Sequence, residues 1–414
     1  MLMCLALPGP ISYCEFAGSA VILCFLLRTP HLWRTWPIVF LHSMMLAVLA
    51  FAGWVAISLT WSDNPRLGVE ELGALRWAWI PLVVYPVLNH RRWLIVALIT
   101  GFLIANAAQA WPGIARMMGA DPIWHRAQGR YSGWWHPVIA GSLLTAALGL
   151  HLPAALRGHG RTRIIGIVGA GITLMAVLAT GSRGAWIASA LLLAMAVLMH
   201  ARTLIHHWRS TGLAGVAIAL MIGSVVSIPA LRSAVVQRFH AASDDISRAV
   251  HERDYTTDTG ARILMNAKAI DAFTASPIIG VGAGGYRAWA EADLLLHGHE
   301  PGTFFIHDHA HSMPLHLLAT TGLVGGAIFL TILILAFRGA RWHARRHPDD
   351  PYTAGPIYAL AGLMLAGLTD AIHINAQTGA MLFMLLALCM SPYPTPRAIR
   401  SADPPIDTSR PRRD

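Results

Sequence analysis

The sequence predicts an all-α, polytopic integral membrane protein, and three observations support that prediction. Of the 414 residues, 55% are hydrophobic and only 13% are charged, whereas soluble domains carry about 25% charged residues. The apolar residues are gathered in runs of roughly 20, which is the length that a helix needs to cross a bilayer. Unpaired backbone groups are too costly in lipid, so these runs are expected to be helical. A water-soluble fold is thereby excluded.

We expect about eleven spans, or twelve if one helix is hidden by the division of an apolar run. The first span carries Glu15, and the third is short. The expected ranges are 11–27, 37–60, 76–89, 93–111, 136–153, 164–180, 184–200, 212–229, 312–337, 353–369 and 377–391.

Arginines are concentrated in every second loop, which predicts the orientation of the chain in the membrane. Arg91, Arg157 and the series that ends at Arg346 belong to these loops. By the positive-inside rule they face the cytoplasm. The opposite side then receives the long interval 230–311 and the connection 370–376. The net charge of +10 therefore reflects membrane orientation and contact with membrane lipids, and we expect no nucleic-acid partner.

The long polar interval divides the chain into four predicted parts. Two segments within it, 231–254 and 259–277, have apolar residues at helical spacing and predict amphipathic helices near the membrane surface. Thr257 or Asp258 would cap the second of these helices. The predicted parts are an N-terminal transmembrane bundle at 1–229, a large periplasmic loop domain at 230–311, C-terminal transmembrane helices at 312–391 and a disordered cytoplasmic tail at 392–414.

Four arginines outside the predicted cytoplasmic loops are candidate anion ligands. Arg183 lies in the tight turn TGSRG, Arg130 precedes a span, Arg262 opens the second loop helix, and Arg76 stands at another helix entrance. A guanidinium at membrane depth costs a few kcal/mol unless an anion or a partner compensates. Its planar fork suits the oxygens of a pyrophosphate. The alternative for each arginine is snorkelling or pairing with a carboxylate, namely Asp63, Glu70 or Asp308.

The run HDHAH places three histidines beside one carboxylate. Read as a helix, it would put His307 and His311 on one face as possible metal ligands. No HExxH pattern accompanies them, so we expect no metal. His311, at the start of an apolar helix, is better placed to act as a general base near neutral pH, with a structural role as the alternative. Asp370, at the end of a later apolar helix, could orient His311, pair with an arginine or face water.

A glycine-rich run follows the second loop helix. Gly280, Gly282 and Gly285 match G-x-G-x-x-G, but no predicted strand precedes them, as a dinucleotide-binding unit would require. They predict a tight, flexible loop beside the membrane instead.

These motifs, in this order, resemble the O-antigen ligase family. TGSRGAW is followed by an arginine-led amphipathic helix that runs into P-x-x-G-x-G, and then by HSMPLHLLATTGLVGG. The last segment is similar to that family's pattern of a histidine, a small polar residue, nine residues and G-x-x-G, here His311, Ser312, Gly322 and Gly325. The resemblance extends to the span pattern of nearly the whole chain.

The resemblance implies a GT-C-type glycosyltransferase in the bacterial inner membrane, normally with twelve spans and with its active site facing the periplasm. Such enzymes transfer a glycan from undecaprenyl pyrophosphate to lipid A–core, inverting the anomeric carbon without a metal or another cofactor. By this resemblance His311 would deprotonate or orient the acceptor hydroxyl, and Arg183 and Arg262 would bind the pyrophosphate. The further substrate-binding candidates are Arg130, Arg76, Asp370, Gly280 and Gly282.

Three alternatives stay open at this point. O-antigen polymerases and ligases that glycosylate proteins share the same arrangement of arginines and histidine, although the compact histidine–glycine motif favours a ligase. A transporter would require inverted repeats and helices broken at mid-membrane in both halves, and the sequence shows neither clearly. A structural membrane protein would leave the arginines and the histidine unexplained.

Overall fold

The computed structural model describes residues 1–27, 33, 35–119, 130–206, 223, 229–300, 302 and 304–391. Most of the span expected at 212–229 and the whole tail at 392–414 lie outside these ranges. The described residues form helices and no strand beyond an isolated bridge between Tyr255 and Phe304. The predicted all-α class is confirmed.

The α-helices of the described ranges are numbered here in chain order. They are α1 Leu2–Ala6, α2 Ile11–Leu27, α3 Trp36–Phe40, α4 Ser43–Ser58, α5 Pro65–Ala74, α6 Ile80–Val84, α7 Arg91–Met117, α8 Pro137–Arg157, α9 Gly160–Ala179, α10 Arg183–His206, α11 Pro229–Ser247, α12 Asp258–Ala275, α13 Tyr286–Leu296, α14 Met313–Arg346, α15 Gly355–Ala366 and α16 Ala376–Cys389. Short 3₁₀-helices connect several of them, at Leu59–Trp61, Leu75–Trp79, Tyr85–His90 and Pro351–Ala354.

Within the described ranges, six helical stretches are long and apolar enough to cross a membrane. They are Ser43–Trp61, Pro65–Pro112, Pro137–Arg157, Gly160–Ala179, Arg183–Ala201 and Met313–Arg346. Helices α2 and α16 are apolar but have only 17 and 14 residues. The expected span at 76–89 lies inside the stretch Pro65–Pro112 and consists of short helices, at Leu75–Trp79, Ile80–Val84 and Tyr85–His90. Pro81 and Pro86 lie in the first turns of the last two helices, where a missing backbone N–H is tolerated.

Helix α8 is the centre of the bundle. In its most apolar segment 83% of the residues are buried, compared with 33% for α9 and 28% for the first part of α10. Helices α9, α10 and α15 pack around it. The bundle therefore fixes the loops at the ends of α9, α10 and α15, which build the site described below.

Helix α14 is broken at Gly322, whose φ of 63° and ψ of −166° are not helical. The break leaves backbone groups on either side without helical partners, and the loop 277–282 supplies replacements. These hydrogen bonds are Val281 N–H to Ala319 O (2.8 Å), Gly282 N–H to Thr320 O (3.0 Å), Leu323 N–H to Pro277 O (2.8 Å) and Val324 N–H to Ile278 O (3.2 Å). A Cβ at Gly322 would lie 2.3 Å from Ile278 O. The glycine-rich loop 277–282 and the G-x-x-G segment 322–325 therefore stabilise each other through these hydrogen bonds.

The interval 230–311 contains three α-helices where two were expected, and a short π-helix, Arg248–Glu252, follows the first of them. The first two α-helices correspond to α11 and α12, and Thr257 Oγ1 caps α12 by accepting the Gly260 N–H at 3.1 Å, which confirms one of the two caps expected. The third, α13, begins directly after the glycine-rich run. Its Tyr286 is buried and donates to Met265 O of α12 at 2.7 Å. This helix was not predicted, because the glycine-rich run before it was interpreted as part of a loop.

Candidate functional site

His311 and Asp370 meet at the start of α14. The Met313 N–H, at the first residue of the helix, donates to Gly367 O (2.7 Å) and Asp370 O (3.1 Å), so the chain after α15 closes the helix N-terminus. This brings Asp370 Oδ1 to 3.4 Å from His311 Nδ1, with both side chains about 85% buried (14% and 15% exposed). The separation is an ion-pair contact longer than an ordinary hydrogen bond. A carboxylate beside Nδ1 favours a proton there and leaves Nε2 as the acceptor.

His311 has a strained backbone. Its φ is 51°, and this left-handed conformation costs a residue with a side chain roughly 1–2 kcal/mol. The His311 N–H donates to His309 Nδ1 at 3.2 Å, which helps to hold that conformation. Burial, followed by the neighbouring His311 charge, lowers the pKa of His309 to about 3. His309 is therefore neutral and able to accept this hydrogen bond at physiological pH.

Asp370 is an ionised carboxylate. Burial alone would raise its pKa, but the contact with His311 and the positive charge of Arg262 oppose burial, and the pKa is lowered. Asp370 can therefore stabilise a positive charge on His311.

Arg183 and Arg262 are linked to this pair through two threonines. Arg262 Nη1 donates to Thr369 O at 3.0 Å, directly before Asp370 in the chain. Arg183 Nη2 donates to Thr259 Oγ1 at 3.1 Å, one turn before Arg262 on α12. The first residue of α10, the first turns of α12 and the start of α14 thus converge on one place.

Arg130 and Arg238 complete a cluster of four arginines with Arg183 and Arg262, hereafter the arginine cluster. A Cβ on Gly181, in the turn before α10, would lie 3.5 Å from Arg130 Nε and 3.8 Å from Arg238 Nε. Burial and then the positive charges of Arg238, Arg262 and Arg183 lower the pKa of Arg130 to about 10. The like charges are therefore close enough to disfavour one another.

Within the described ranges, no member of the arginine cluster forms an ion pair with a carboxylate within 4.0 Å. The nearest acidic group in their hydrogen-bond network is Asp245, which accepts from Thr259 Oγ1 at 2.8 Å. Asp308, which the sequence offered as an alternative partner, instead accepts from Arg287 at 3.0 Å. The charges of Asp245 and Asp258 act on this cluster, but in the described ranges they form no ion pair with it. The cluster is a partly buried positive region, which favours the binding of anionic oxygens.

Arg76 contacts other groups. Its guanidinium lies 3.2 Å from Glu15 Oε1 and 5.3 Å from the centre of the Trp77 ring. Both members of the ion pair are about half exposed. Glu15, in α2, thus has an ion-pair partner. The role of Arg76 in substrate binding stays a prediction.

Gly280 and Gly282 lie against the break in α14. Their φ angles are 71° and 87°. A Cβ at Gly280 would lie 2.4 Å from the Thr320 carbonyl carbon, and one at Gly282 would lie 2.7 Å from Ser58 O. This geometry gives both glycines a packing role, and substrate binding by them stays a prediction.

The histidine run is not helical. Residues 305–312 precede α14 as an irregular segment, so His307 and His311 do not share a helix face as the metal alternative assumed. The group that could hold a metal is His309, His311 and Asp370, whose ligand atoms lie within 4.8 Å of one another. The third ligand comes from a distant part of the chain, which a local spacing pattern does not detect.

Sequence reasoning missed a second histidine–carboxylate pair beneath the first. His316 is fully buried on α14, and its Nε2 lies 3.3 Å from Glu71 Oε1. The His373 ring lies 5.7 Å from that of His316, and burial lowers the pKa of His373 to about 3. An ionisable residue inside an apolar helix is itself a functional signal, and His316 carried that signal in the sequence.

Residues 168–330 match the model of the family described as O-antigen ligase. This match supports the assignment of residues 168–330 to the O-antigen ligase family. The matched range includes Arg183, Arg262, His311 and both glycine motifs, whereas Arg130 and Asp370 lie outside it. No curated protein matches the chain. The ligase family and the apolar helices together indicate a multi-pass membrane protein of the O-antigen ligase or polymerase type, acting on lipid-linked glycans.

Proposed function

We propose that this ligase-family chain transfers a glycan from undecaprenyl pyrophosphate to lipid A–core, at the periplasmic face of the bacterial inner membrane. The observation that carries the proposal is the contact series from Arg183 through Thr259 and Arg262 to Thr369, Asp370 and His311. An anion-binding region and a candidate base are therefore adjacent, as a transfer from a diphosphate donor requires.

The arginine cluster would bind the pyrophosphate of the donor. Two of its guanidinium groups are anchored by neutral oxygens, namely the Thr369 carbonyl for Arg262 and the Thr259 hydroxyl for Arg183. Their remaining N–H groups are oriented and, in the described ranges, form no ion pair with a carboxylate. As the bond between the anomeric carbon and the pyrophosphate oxygen breaks, negative charge grows on that oxygen and fixed cations stabilise it. Such a leaving group does not require a general acid.

His311 would act on the acceptor. Its Nε2 takes the proton of the acceptor hydroxyl while the hydroxyl oxygen bonds to the anomeric carbon from the face opposite the departing pyrophosphate. The anomeric configuration is inverted, undecaprenyl pyrophosphate leaves with the electron pair, and His311 is left protonated beside the ionised Asp370. This carboxylate stabilises the imidazolium and orients the ring. The scheme is metal-independent.

The identity of the acceptor distinguishes a ligase from the two related kinds of enzyme. A polymerase would use a second lipid-linked glycan, and a protein O-oligosaccharyltransferase would use a serine or threonine hydroxyl, with the same donor and base. The spacing from His311 to Gly322 and Gly325 supports a ligase. A transporter function would not explain the contact between His311 and Asp370.

The test is reconstitution of the purified chain with lipid-linked glycan and, separately, lipid A–core, a second lipid-linked glycan or an acceptor peptide. We expect transfer to lipid A–core and a loss of about 10²- to 10⁴-fold in the His311→Ala variant, which is the usual contribution of a general base. His297→Ala is the matched control, because His297 is 65% exposed in the same loop domain. Near-normal transfer by His311→Ala would remove the base assignment, and transfer only to another acceptor would change the reaction.

A further inference from the structure

A cavity with charged residues in its lining lies at the opposite end of α14. It has a volume of about 520 Å³ and is lined by the start of α7, the end of α14 and the 3₁₀-helix Pro351–Ala354. The part of α14 after the break at Gly322 runs from Leu323 to Arg346 and has 24 residues, which corresponds to about 36 Å at 1.5 Å per residue. His311 precedes the first turn of α14, and the cavity borders its last turn. The cavity is therefore separate from the site proposed above.

Arg91 is the central cation of this cavity. Its side chain is 5% exposed, and it joins two elements by donating from Nε to Leu388 O (2.7 Å) and from Nη1 to Thr353 O (2.8 Å). The remaining nitrogen, Nη2, is buried and has no hydrogen-bond partner among the described residues. An unpaired nitrogen of a buried guanidinium is costly. Arg91 lines the cavity, and an anionic oxygen that reached Nη2 from the cavity would remove that cost.

The charge of the cavity corresponds to a single phosphate monoanion. Arg91 and Arg92 contribute two positive charges to its lining, and Asp350 contributes one negative charge. Asp350 Oδ1 also accepts the Tyr352 N–H at 3.0 Å, so this carboxylate already has a donor. These three side chains together leave one positive charge. A phosphodiester carries one negative charge and would neutralise it.

The position of the cavity indicates a lipid as the source of that phosphate. Tyr85 and Trp342 line it, and tyrosine and tryptophan are the residues that favour the boundary between hydrocarbon and water. The Arg346 guanidinium lies 5.0 Å from the centre of the Trp342 ring. Trp93, two residues after Arg91, is 57% exposed on the outside of α7. Apolar surface for acyl chains is thus next to a cationic cavity.

We infer that this cavity binds the phosphate headgroup of an anionic phospholipid, such as phosphatidylglycerol or cardiolipin, between α7 and α14. Basic pockets between membrane helices bind such headgroups, and 520 Å³ is within the usual range of ligand pockets. The bound lipid would connect Arg91, and through it Leu388 and Thr353, to the end of α14.

The experiment uses the full-length protein in nanodiscs of zwitterionic phosphatidylcholine, with cardiolipin or phosphatidylglycerol added in steps. Lipid retained by the protein is measured by native mass spectrometry, and the midpoint of thermal unfolding is measured in parallel. We expect preferential retention of the anionic lipid and a higher unfolding midpoint. Arg92→Gln should weaken the apparent affinity about fivefold, which is the usual contribution of one arginine near an anionic surface.

The variants separate this cavity from general surface charge. Arg91→Gln should weaken binding more than Arg92→Gln, but Arg91 also joins α7 to other elements and its loss can impair folding. Arg92 is exposed, so its replacement keeps the test valid. Arg341→Gln is the matched control, because Arg341 lies at the same end of α14, next to Phe337, and is not part of the cavity lining.

Three outcomes would overturn the inference. The first is equal retention of zwitterionic and anionic lipid by the wild-type protein. The second is an equal loss of affinity in Arg341→Gln and Arg92→Gln. The third is a thermal shift produced by inorganic phosphate at the same concentration as the lipid, because the ligand would then be a soluble phosphate.

Discussion

The two ends of α14 use arginine in related ways. At the His311 end, four arginines cluster without a carboxylate ion pair in the described ranges, and the anchors of Arg183 and Arg262 are neutral threonine oxygens. At the other end, Arg91 is held by two backbone carbonyls, and one of its buried nitrogens has no hydrogen-bond partner in the part of the chain that the structure describes. A carbonyl or hydroxyl orients a guanidinium without cancelling its charge. Both ends are therefore prepared for anions, and the larger cluster suits the more highly charged ligand.

Exposed arginines elsewhere differ from these two sites, because they form ion pairs with carboxylates. Arg76 pairs with Glu15, and Arg248 pairs with Asp254. Their charges are locally balanced, and surface pairs of this kind contribute about 0–1 kcal/mol. The type of anchor, more than the presence of an arginine, distinguishes the two candidate anion sites.

The largest effect that would test this comparison is on donor binding. Arg183→Ala and Arg262→Ala should each weaken donor affinity by about 10- to 100-fold, because each removes a charged hydrogen-bond donor of about 1.5–3 kcal/mol. Lysine at either position should restore only part of it, because the planar fork is lost. Donor affinity can be measured by titration of lipid-linked glycan in detergent. Arg248→Ala is the control, and an equal loss there would show that only overall charge matters.

The next largest effect should come from Asp370→Asn. The amide keeps the shape of the side chain but cannot stabilise a charged His311, so kcat should fall by about 10- to 100-fold, as for other groups that orient a functional histidine. KM for the donor should change much less, because the arginines remain in place. Steady-state kinetics separate these two quantities. A large rise in KM with unchanged kcat would assign Asp370 to donor binding instead.

The break in α14 provides a structural prediction. Gly322→Ala should lower stability by about 2–4 kcal/mol, because a Cβ there would overlap Ile278 O and the backbone is in a region that disfavours side chains. Thermal unfolding in detergent measures the effect. Gly53→Ala is a matched control, because Gly53 lies within α4 and a Cβ added there would meet no neighbouring atom within 4 Å. Equal midpoints for the two variants would contradict the proposed contact between the two motifs.

The sequence predicted the parts of the site that depend on membrane topology and on short motifs. Arg183, Arg262 and Arg130 stood out because arginine is unexpected outside the cytoplasmic loops, and His311 stood out through its motif. Arg238 satisfied the same criterion, but its amphipathic segment offered a simpler explanation. The contact between His316 and Glu71 joins residues 245 positions apart. No local pattern contains such a pair, since only the packing of α14 against the rest of the bundle creates it.

The histidines beneath the site should make stability depend on pH. Burial lowers the pKa of His373 to about 3, compared with about 6.5 in an unfolded chain. Below pH 6.5 the unfolded chain therefore binds a proton that the folded protein excludes, so stability should fall from about pH 6.5 towards pH 3 and be independent of this group above pH 6.5. Thermal unfolding midpoints across this range measure the effect. His373→Gln should reduce the slope, and an unchanged slope would exclude His373 as its source.

The smallest expected effect is that of metal removal, and it tests the difference between the two ends most directly. His309, His311 and Asp370 have the geometry to hold a divalent ion, and such an ion would occupy the same electron pairs that the base and its carboxylate need. If His311 is the base, EDTA should leave transfer unchanged, and added Zn²⁺ should inhibit it by competing for the imidazole. Transfer assays with EDTA, Zn²⁺ and Mg²⁺ measure this. Loss of transfer in EDTA, restored by a stoichiometric metal ion, would instead make this end of α14 a metal centre beside an anion site, while binding at the Arg91 end would be unaffected.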